Sequence, residues 1–162
     1  MKINIVTGCY NEEGNVIELI NRVRKIMESH SSKYDYEHIF IDNASEDKTV
    51  DLLKSEANID KNIKIIVNSR NFGHVRSPSY ALLPAEGDAV ISLVADLQDP
   101  PEMITDFLEK WESGNDIVIA VKAKTEETGC TSYSIAQLLM SYSPSFLWQR
   151  STRPTFPAVI FQ

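Results

Sequence analysis

Residues 1–122 repeat one pattern: a short apolar run, a polar break, then a stretch with helical spacing. The apolar runs fall at residues 3–7, 38–41, 63–67, 89–93 and 116–120, and most are rich in isoleucine and valine. Between the first two, Val16, Leu19, Ile20, Val23, Ile26 and Met27 recur at intervals of three and four, the spacing of one helical face. Helices are also expected from about Ser45 or Asp47, with Val50, Leu53 and Ala57 inward, and after Pro101, burying Ile104, Phe107, Leu108 and Trp111. A weaker helical stretch is expected around residues 79–83, between Pro78 and Pro84. Strands that alternate with helices must return by crossovers and pair in parallel. The expected fold is therefore α/β, a Rossmann-like, mostly parallel sheet flanked by helices.

The pattern stops near residue 124. From Thr125 onward the charged residues are Glu126, Glu127, Arg150 and Arg153, serine and threonine are frequent, and Pro144, Pro154 and Pro157 interrupt any long helix. A short helix over residues 135–140 is the only element expected there. The reading is one domain over residues 1–124 and an atypical, poorly ordered tail over 125–162. If the tail leaves the sheet edge open, a homodimer or aggregation is favoured.

A formal charge of −7 argues against a nucleic-acid partner, which needs a basic face. Cys9 and Cys130 are too few for a disulfide framework or a zinc site, so a reducing, cytoplasmic setting is expected. No signal-peptide pattern opens the chain, and no apolar run reaches membrane-spanning length.

The most informative stretch is residues 90–102, where an apolar run ends in Asp96-Leu97-Gln98-Asp99 before Pro100-Pro101. In an open α/β sheet the carboxyl ends of the strands face the ligand. Two carboxylates there suit a divalent cation on a phosphorylated ligand; an N-cap and a loop acid account for them equally well. The other breaks on this edge are also polar: Tyr10-Asn11-Glu12, Asp42-Asn43 and Arg70-Asn71. Neither G-x-G-x-x-G after the first strand nor G-x-x-x-x-G-K-[ST] is present, which disfavours dinucleotide and P-loop chemistry.

Tyr10-Asn11-Glu12-Glu13, the segment from Asp42 to Thr49, Ser69-Arg70-Asn71-Phe72-Gly73 and the segment from Asp96 to Pro101 occur in the order and spacing of family 2 glycosyltransferases. The chain resembles most the branch of dolichyl-phosphate mannose synthase and the bacterial undecaprenyl-phosphate sugar transferases, over residues 1–124. The resemblance implies a GT-A type fold and transfer of sugar from a UDP- or GDP-linked donor to a polyprenyl phosphate, at the inner face of the cell membrane. It implies that Tyr10 and Glu12 line the base and ribose and that Asp42 accepts a hydrogen bond from the base. Gly8, Asn11, Asn43, Asn71 and Gln98 join them as nucleotide-sugar-binding positions. Asp96 becomes the retained acid of a D-x-D site for Mg²⁺ or Mn²⁺. Gln98 and Asp99 flank the metal or sugar, and Arg70 lies near the diphosphate or acceptor phosphate. Asp96, Asp99 and Arg70 are thus the expected catalytic set.

The sequence departs from that pattern in four places. Val94 replaces the first acid of D-x-D, Asn43 replaces a second acid, Ala44 replaces a glycine, and Gly8 stands where proline is common. An inverting transfer to a hydroxyl needs a general base, whereas a phosphate monoester, largely dianionic at neutral pH, does not. No base stands out beyond the acidic loop, which fits a polyprenyl-phosphate acceptor. Two rival expectations are a polysaccharide or O-antigen transferase of the same family, and a truncated nucleotide-binding remnant without catalysis. Cys9 and Trp111 are expected in the core, His30 and His38 in structural or exposed positions, and His74 in a solvated loop.

Overall fold

The computed structural model describes residues 1–120 and the strand at residues 158–161. In chain order the elements are β1 (Lys2–Cys9), α1 (Val16–Ser29), β2 (Asp35–Asp42), α2 (Thr49–Ile59), β3 (Ile63–Val67), α3 (Arg76–Ala81), β4 (Ala89–Val94), α4 (Met103–Glu112), β5 (Ile117–Ile119) and β6 (Ala158–Phe161). The strands form one sheet in the order β3-β2-β1-β4-β6-β5, and every pairing is parallel. The α/β class expected from the alternation is the class observed.

Central strands in such a sheet are covered on both faces, so they read as continuous apolar runs. In β1, Ile3 and Ile5 join α1, α2 and α4 in the larger core, while Val6 faces a smaller one shared with Ile39, Ile41, Val90 and Ala81 of α3. The three-four spacing of α1 buries Val16, Leu19, Ile20, Val23 and Met27, and Ile26 packs partly buried beside them. Each of these apolar side chains stabilises the fold by about 1.5–3 kcal/mol. In α2, Leu53 is buried, with Leu52 and Ala57 against it, and Val50 stays half-buried. Ile104, Phe107 and Leu108 of α4 are buried; Trp111 packs at the margin, its ring 6.2 Å from that of Tyr34.

Two expectations are corrected. The third helix begins three residues earlier than residues 79–83, because Pro78 falls in its first turn, where a missing N–H has no intrahelical partner to lose. The composition after residue 124 argued against another strand, yet Ala158–Phe161 pairs with both β4 and β5. Parallel strands far apart in sequence meet only through tertiary structure, and no local pattern announces the pairing. The expected helix over residues 135–140, and the remainder of the 125–157 segment, lie outside the described residues.

Polar groups inside the sheet are paired. Asn4 is fully buried; its Oδ1 accepts from the Gly87 N–H and its Nδ2 donates to Glu37 Oε2 at 3.1 Å. A side chain at Gly87 would come within 2.5 Å of that Asn4 oxygen, so only glycine fits. His38 lies under the helices, 3.0 Å from Thr7 Oγ1, and burial pulls its pKa down to about 3. It is a neutral core histidine, the structural rather than the exposed of the two expected positions.

Candidate functional site at the carboxyl edge of the sheet

Because all strands run the same way, the four polar breaks after β1, β2, β3 and β4 emerge on one edge. Backbone strain gathers there too. Asn11 (φ 57°), Ala44 (φ 64°) and Leu97 (φ 58°) are the non-glycine residues in the left-handed region among the described residues. They lie in the breaks after β1, β2 and β4. Such a conformation costs on the order of 1–3 kcal/mol and collects at functional sites.

The first two breaks are stitched together. Asn11 N–H donates to Ser45 Oγ at 2.9 Å, and Glu46 N–H donates back to Asn11 Oδ1 at 2.8 Å. Glu12 N–H donates to Thr49 Oγ1 at 2.8 Å and Glu13 N–H to Asp47 Oδ2 at 3.1 Å. Lys48 N–H donates to Glu13 Oε2 at 3.0 Å. Asp47 also accepts from Thr49 N–H at 2.9 Å at the start of α2, where Ser45 or Asp47 was expected to cap the helix. Desolvation raises the Asp47 pKa, but the hydrogen bonds from Thr49 and Glu13 outweigh it and hold the carboxyl below its ordinary value.

Asp42 is fully buried at the end of β2. Its Oδ2 accepts from Ser45 N–H at 3.0 Å, its Oδ1 accepts a short hydrogen bond from Ser45 Oγ, and the Cys9 thiol approaches at 4.0 Å. Burial, and then the charges of Asp42, Glu12 and Asp47, push the Cys9 thiol up to about 12. Cys9 is thus the small buried residue expected from sequence, with no thiolate at neutral pH.

Asn43, next along, is also buried and links the second break to the third. Its Oδ1 accepts from Phe72 N–H at 2.9 Å and Asn68 Nδ2 at 3.3 Å, while its Nδ2 donates to Asn71 Oδ1 at 2.8 Å. Asn71 Oδ1 also accepts from Gly73 N–H, closing a turn that sets Gly73 at φ 88°. Asn68 donates to Ser77 Oγ at 2.8 Å, which carries the network into α3. Asn68 and Ser77 were not singled out from sequence, and Ser45 and Thr49 entered only as a possible helix cap and as part of a motif. The available signal was that Asn68, like Asn43, is the first residue beyond its strand.

Gly8 holds the edge in a different way. A Cβ there would stand 2.7 Å from Pro78 Cγ, so the glycine lets α3 press against β1. Tyr10 is solvent-exposed, and Glu12 turns its carboxylate to Asn15 Nδ2 at 2.8 Å. Arg70 is exposed, with its guanidinium 4.9 Å from the centre of the Phe72 ring.

The fourth break carries an exposed acid. Asp96 is exposed, and its Oδ1 accepts from Gln98 N–H at 3.0 Å in a turn that passes through left-handed Leu97. Gln98 is exposed beside it and Asp99 is half-buried. Val94, two residues before Asp96, is 43% exposed and offers no ligand atom. Among the described residues, no three His, Cys, Asp or Glu side chains gather as a metal cage. The structure thus brings Gly8, Tyr10, Asn11, Glu12, Asp42, Asn43, Arg70, Asn71, Asp96, Gln98 and Asp99 to one edge. It spends Asn11, Asp42, Asn43 and Asn71 largely on holding the loops.

An edge that combines buried carboxylate, backbone donors, one guanidinium and an exposed acid suits a charged, phosphorylated ligand in an open α/β sheet. The family model for glycosyl transferase family 2 matches residues 4–158, and the chain belongs to that family. Over 124 residues it is 38% identical to an uncharacterized glycosyltransferase of Bacillus subtilis, covering 76% of this chain and 38% of the relative. It is 38% identical over 119 residues to the undecaprenyl-phosphate 4-deoxy-4-formamido-L-arabinose transferase of Proteus mirabilis, covering 72% of this chain and 36% of the relative. The chain spans well under half the length of these relatives. In fold it is similar to a mannosyltransferase of Pyrobaculum calidifontis solved with GDP-mannose and Mn²⁺, with a TM-score of 0.58 and 18% identity over 74% of this chain and 35% of that one. The fold is of GT-A type.

Proposed function

We propose that this chain carries the donor-binding part of an inverting glycosyltransferase that moves a sugar from a UDP- or GDP-linked donor to a polyprenyl phosphate. The observation that carries the reading is the convergence of the four strand-end breaks on one edge, with the exposed Asp96 carboxylate beside loops that hydrogen bonds hold in place. The undecaprenyl-phosphate sugar transferase among the relatives supports the acceptor class.

Tyr10 and Glu12 line the base and ribose; Asp42, expected to accept from the base, is instead buried and held by Ser45, and with Gly8, Asn11, Asn43 and Asn71 it shapes the wall behind them. All lie within residues 1–124. Asp96, with Gln98 and Asp99 beside it, would hold Mg²⁺ or Mn²⁺. One protein carboxylate suffices, because Mg²⁺ typically takes one or two carboxylates and completes its shell with phosphate oxygens and water. An ion held there would supply charge neutralisation for a departing diphosphate. Arg70 adds a positive charge on the same side. An oxygen of the acceptor phosphate attacks the anomeric carbon, the bond to the donor diphosphate breaks, and the configuration inverts. No general base is required, since the attacking phosphate is already anionic.

A second reading is a nucleotide-binding remnant without turnover. Val94 at the first D-x-D position and the absence of a three-residue metal cluster among the described residues favour it. Titrating UDP- and GDP-sugars by calorimetry with and without Mn²⁺, followed by a transfer assay on a short polyprenyl phosphate, separates the two. The proposal expects metal-dependent binding and transfer. Metal-independent binding with no turnover selects the remnant, and no binding to any nucleotide sugar overturns both.

A further inference from the structure

Between Asp60 and Glu86 the chain has no acidic residue, although it carries 23 acids in all and a net charge of −7. The same span contains Lys61, Lys64, Arg70 and Arg76, with His74 between the arginines. It folds into β3, the break behind it and α3, and α3 lies on the face of the sheet opposite α1, α2 and α4.

The packing of α3 is unusual for a helix on a sheet. It buries Ser77 and Ala81, two small residues, and turns its largest apolar side chain, Tyr80, to solvent at 59% exposure. Leu83 in the following turn is 76% exposed, and Val75 and Phe72 in the preceding break are 43% and 39% exposed. A surface helix normally does the reverse. Among the described residues neither Arg70 nor Arg76 has an ion-pair partner.

We infer that this face, from Arg70 and Phe72 along α3 to Leu83, docks onto an anionic lipid bilayer. Apolar and aromatic side chains beside unpaired cations are the chemistry of an interfacial segment: the rings and Leu83 enter the headgroup boundary, and the guanidiniums meet lipid phosphates. The acid-free span makes this face complementary to such a surface, while the acids elsewhere are repelled by it and so orient the molecule. Docking of a second copy through this face is disfavoured, because a two-fold contact sets the same arginines against each other. The inference rests on the polyprenyl-phosphate reading above and adds to it the surface that meets the lipid. Arg70 sits both on the site edge and at the start of the patch, so docking brings the edge to the height of the lipid phosphates.

The test is flotation of the full chain with vesicles of phosphatidylcholine alone and of phosphatidylcholine with phosphatidylglycerol, at low and high salt. Binding is expected to the anionic vesicles only and to weaken as salt rises. Arg76→Glu should weaken it at least about fivefold, the effect of one interfacial cation, while Arg76→Lys retains it. Tyr80→Ser combined with Leu83→Ser should remove the salt-resistant remainder. Unchanged binding in Arg76→Glu and in the double variant overturns the inference, as does the absence of vesicle binding. A dimer that the double variant dissolves, seen by sizing chromatography, also overturns it and assigns the face to a second copy. Nucleotide-sugar binding without vesicles is read on the same samples. Its loss with vesicle binding intact breaks the functional reading alone, and the converse breaks the docking alone.

Discussion

The loops after β1 and β2 and the loop after β4 share one edge of the sheet but are built on opposite plans. The first pair is joined by five hydrogen bonds between backbone N–H groups of one loop and side chains of the other. The loop after β4 is tied by the turn at Asp96 and, at its far end, by the ion pair of Arg22 with Glu102. In the first region the polar side chains satisfy the protein itself, and what they present outward is shape. In the second, Asp96 keeps a carboxylate oxygen for whatever arrives. A site divided in this way has one wall formed in advance and another completed by its ligand. That division explains why Asp96 and its neighbours stand out so little in the geometry.

Three substitutions probe the contrast, in order of expected size. Asp96→Ala should abolish metal-dependent nucleotide-sugar binding and lower transfer by about 10²–10³-fold, the usual cost of losing one electrostatic contact to a developing charge. Its melting temperature should stay within about 1 °C of the parent, since the side chain is exposed. A large fall in melting temperature would mean that Asp96 is structural and that the two loops are alike. Asn43→Ala should do the opposite. It strips partners from the Phe72 N–H, from Asn68 and from Asn71, and should cost about 1–3 kcal/mol in denaturant unfolding. Unchanged stability would show that the stitching carries no weight.

The smallest effect is expected at Ala44, which holds φ 64° without the freedom of a glycine. Ala44→Gly should raise stability by up to about 1 kcal/mol as the left-handed strain is relieved, net of the extra freedom glycine gives the unfolded chain. A destabilised variant would show that the methyl group makes a contact worth more than the strain.

Much of the fold was legible along the chain. The three-four spacing from Val16 to Met27 marks a helix and its buried face, because that periodicity is local and burial simply obeys it. The same holds for Ile3 and Ile5 in β1 and for Ile104 and Phe107 in α4. Asp96 was legible as a strand-end acid from the abrupt change after residue 95. The role of Asn43 was harder to see, since it depends on Phe72, Asn68 and Asn71, 25 to 29 residues away. The start of α3 was misjudged by reading Pro78 as a breaker rather than as a first-turn residue.

By itself, then, the sequence determined the alternation of strands and helices, the inward faces, and the gathering of polar breaks on one edge, all of which follow from periodicity and chain direction. Tertiary structure alone decided what those polar residues do. It closed Gly8 against Pro78, buried Asp42 beneath Ser45, brought Ala158–Phe161 in between β4 and β5, and left Asp96 and the basic face of α3 open to solvent. The physical reason is that hydrogen bonds and close approaches join residues distant in the chain, and no local pattern encodes which distant partner will arrive.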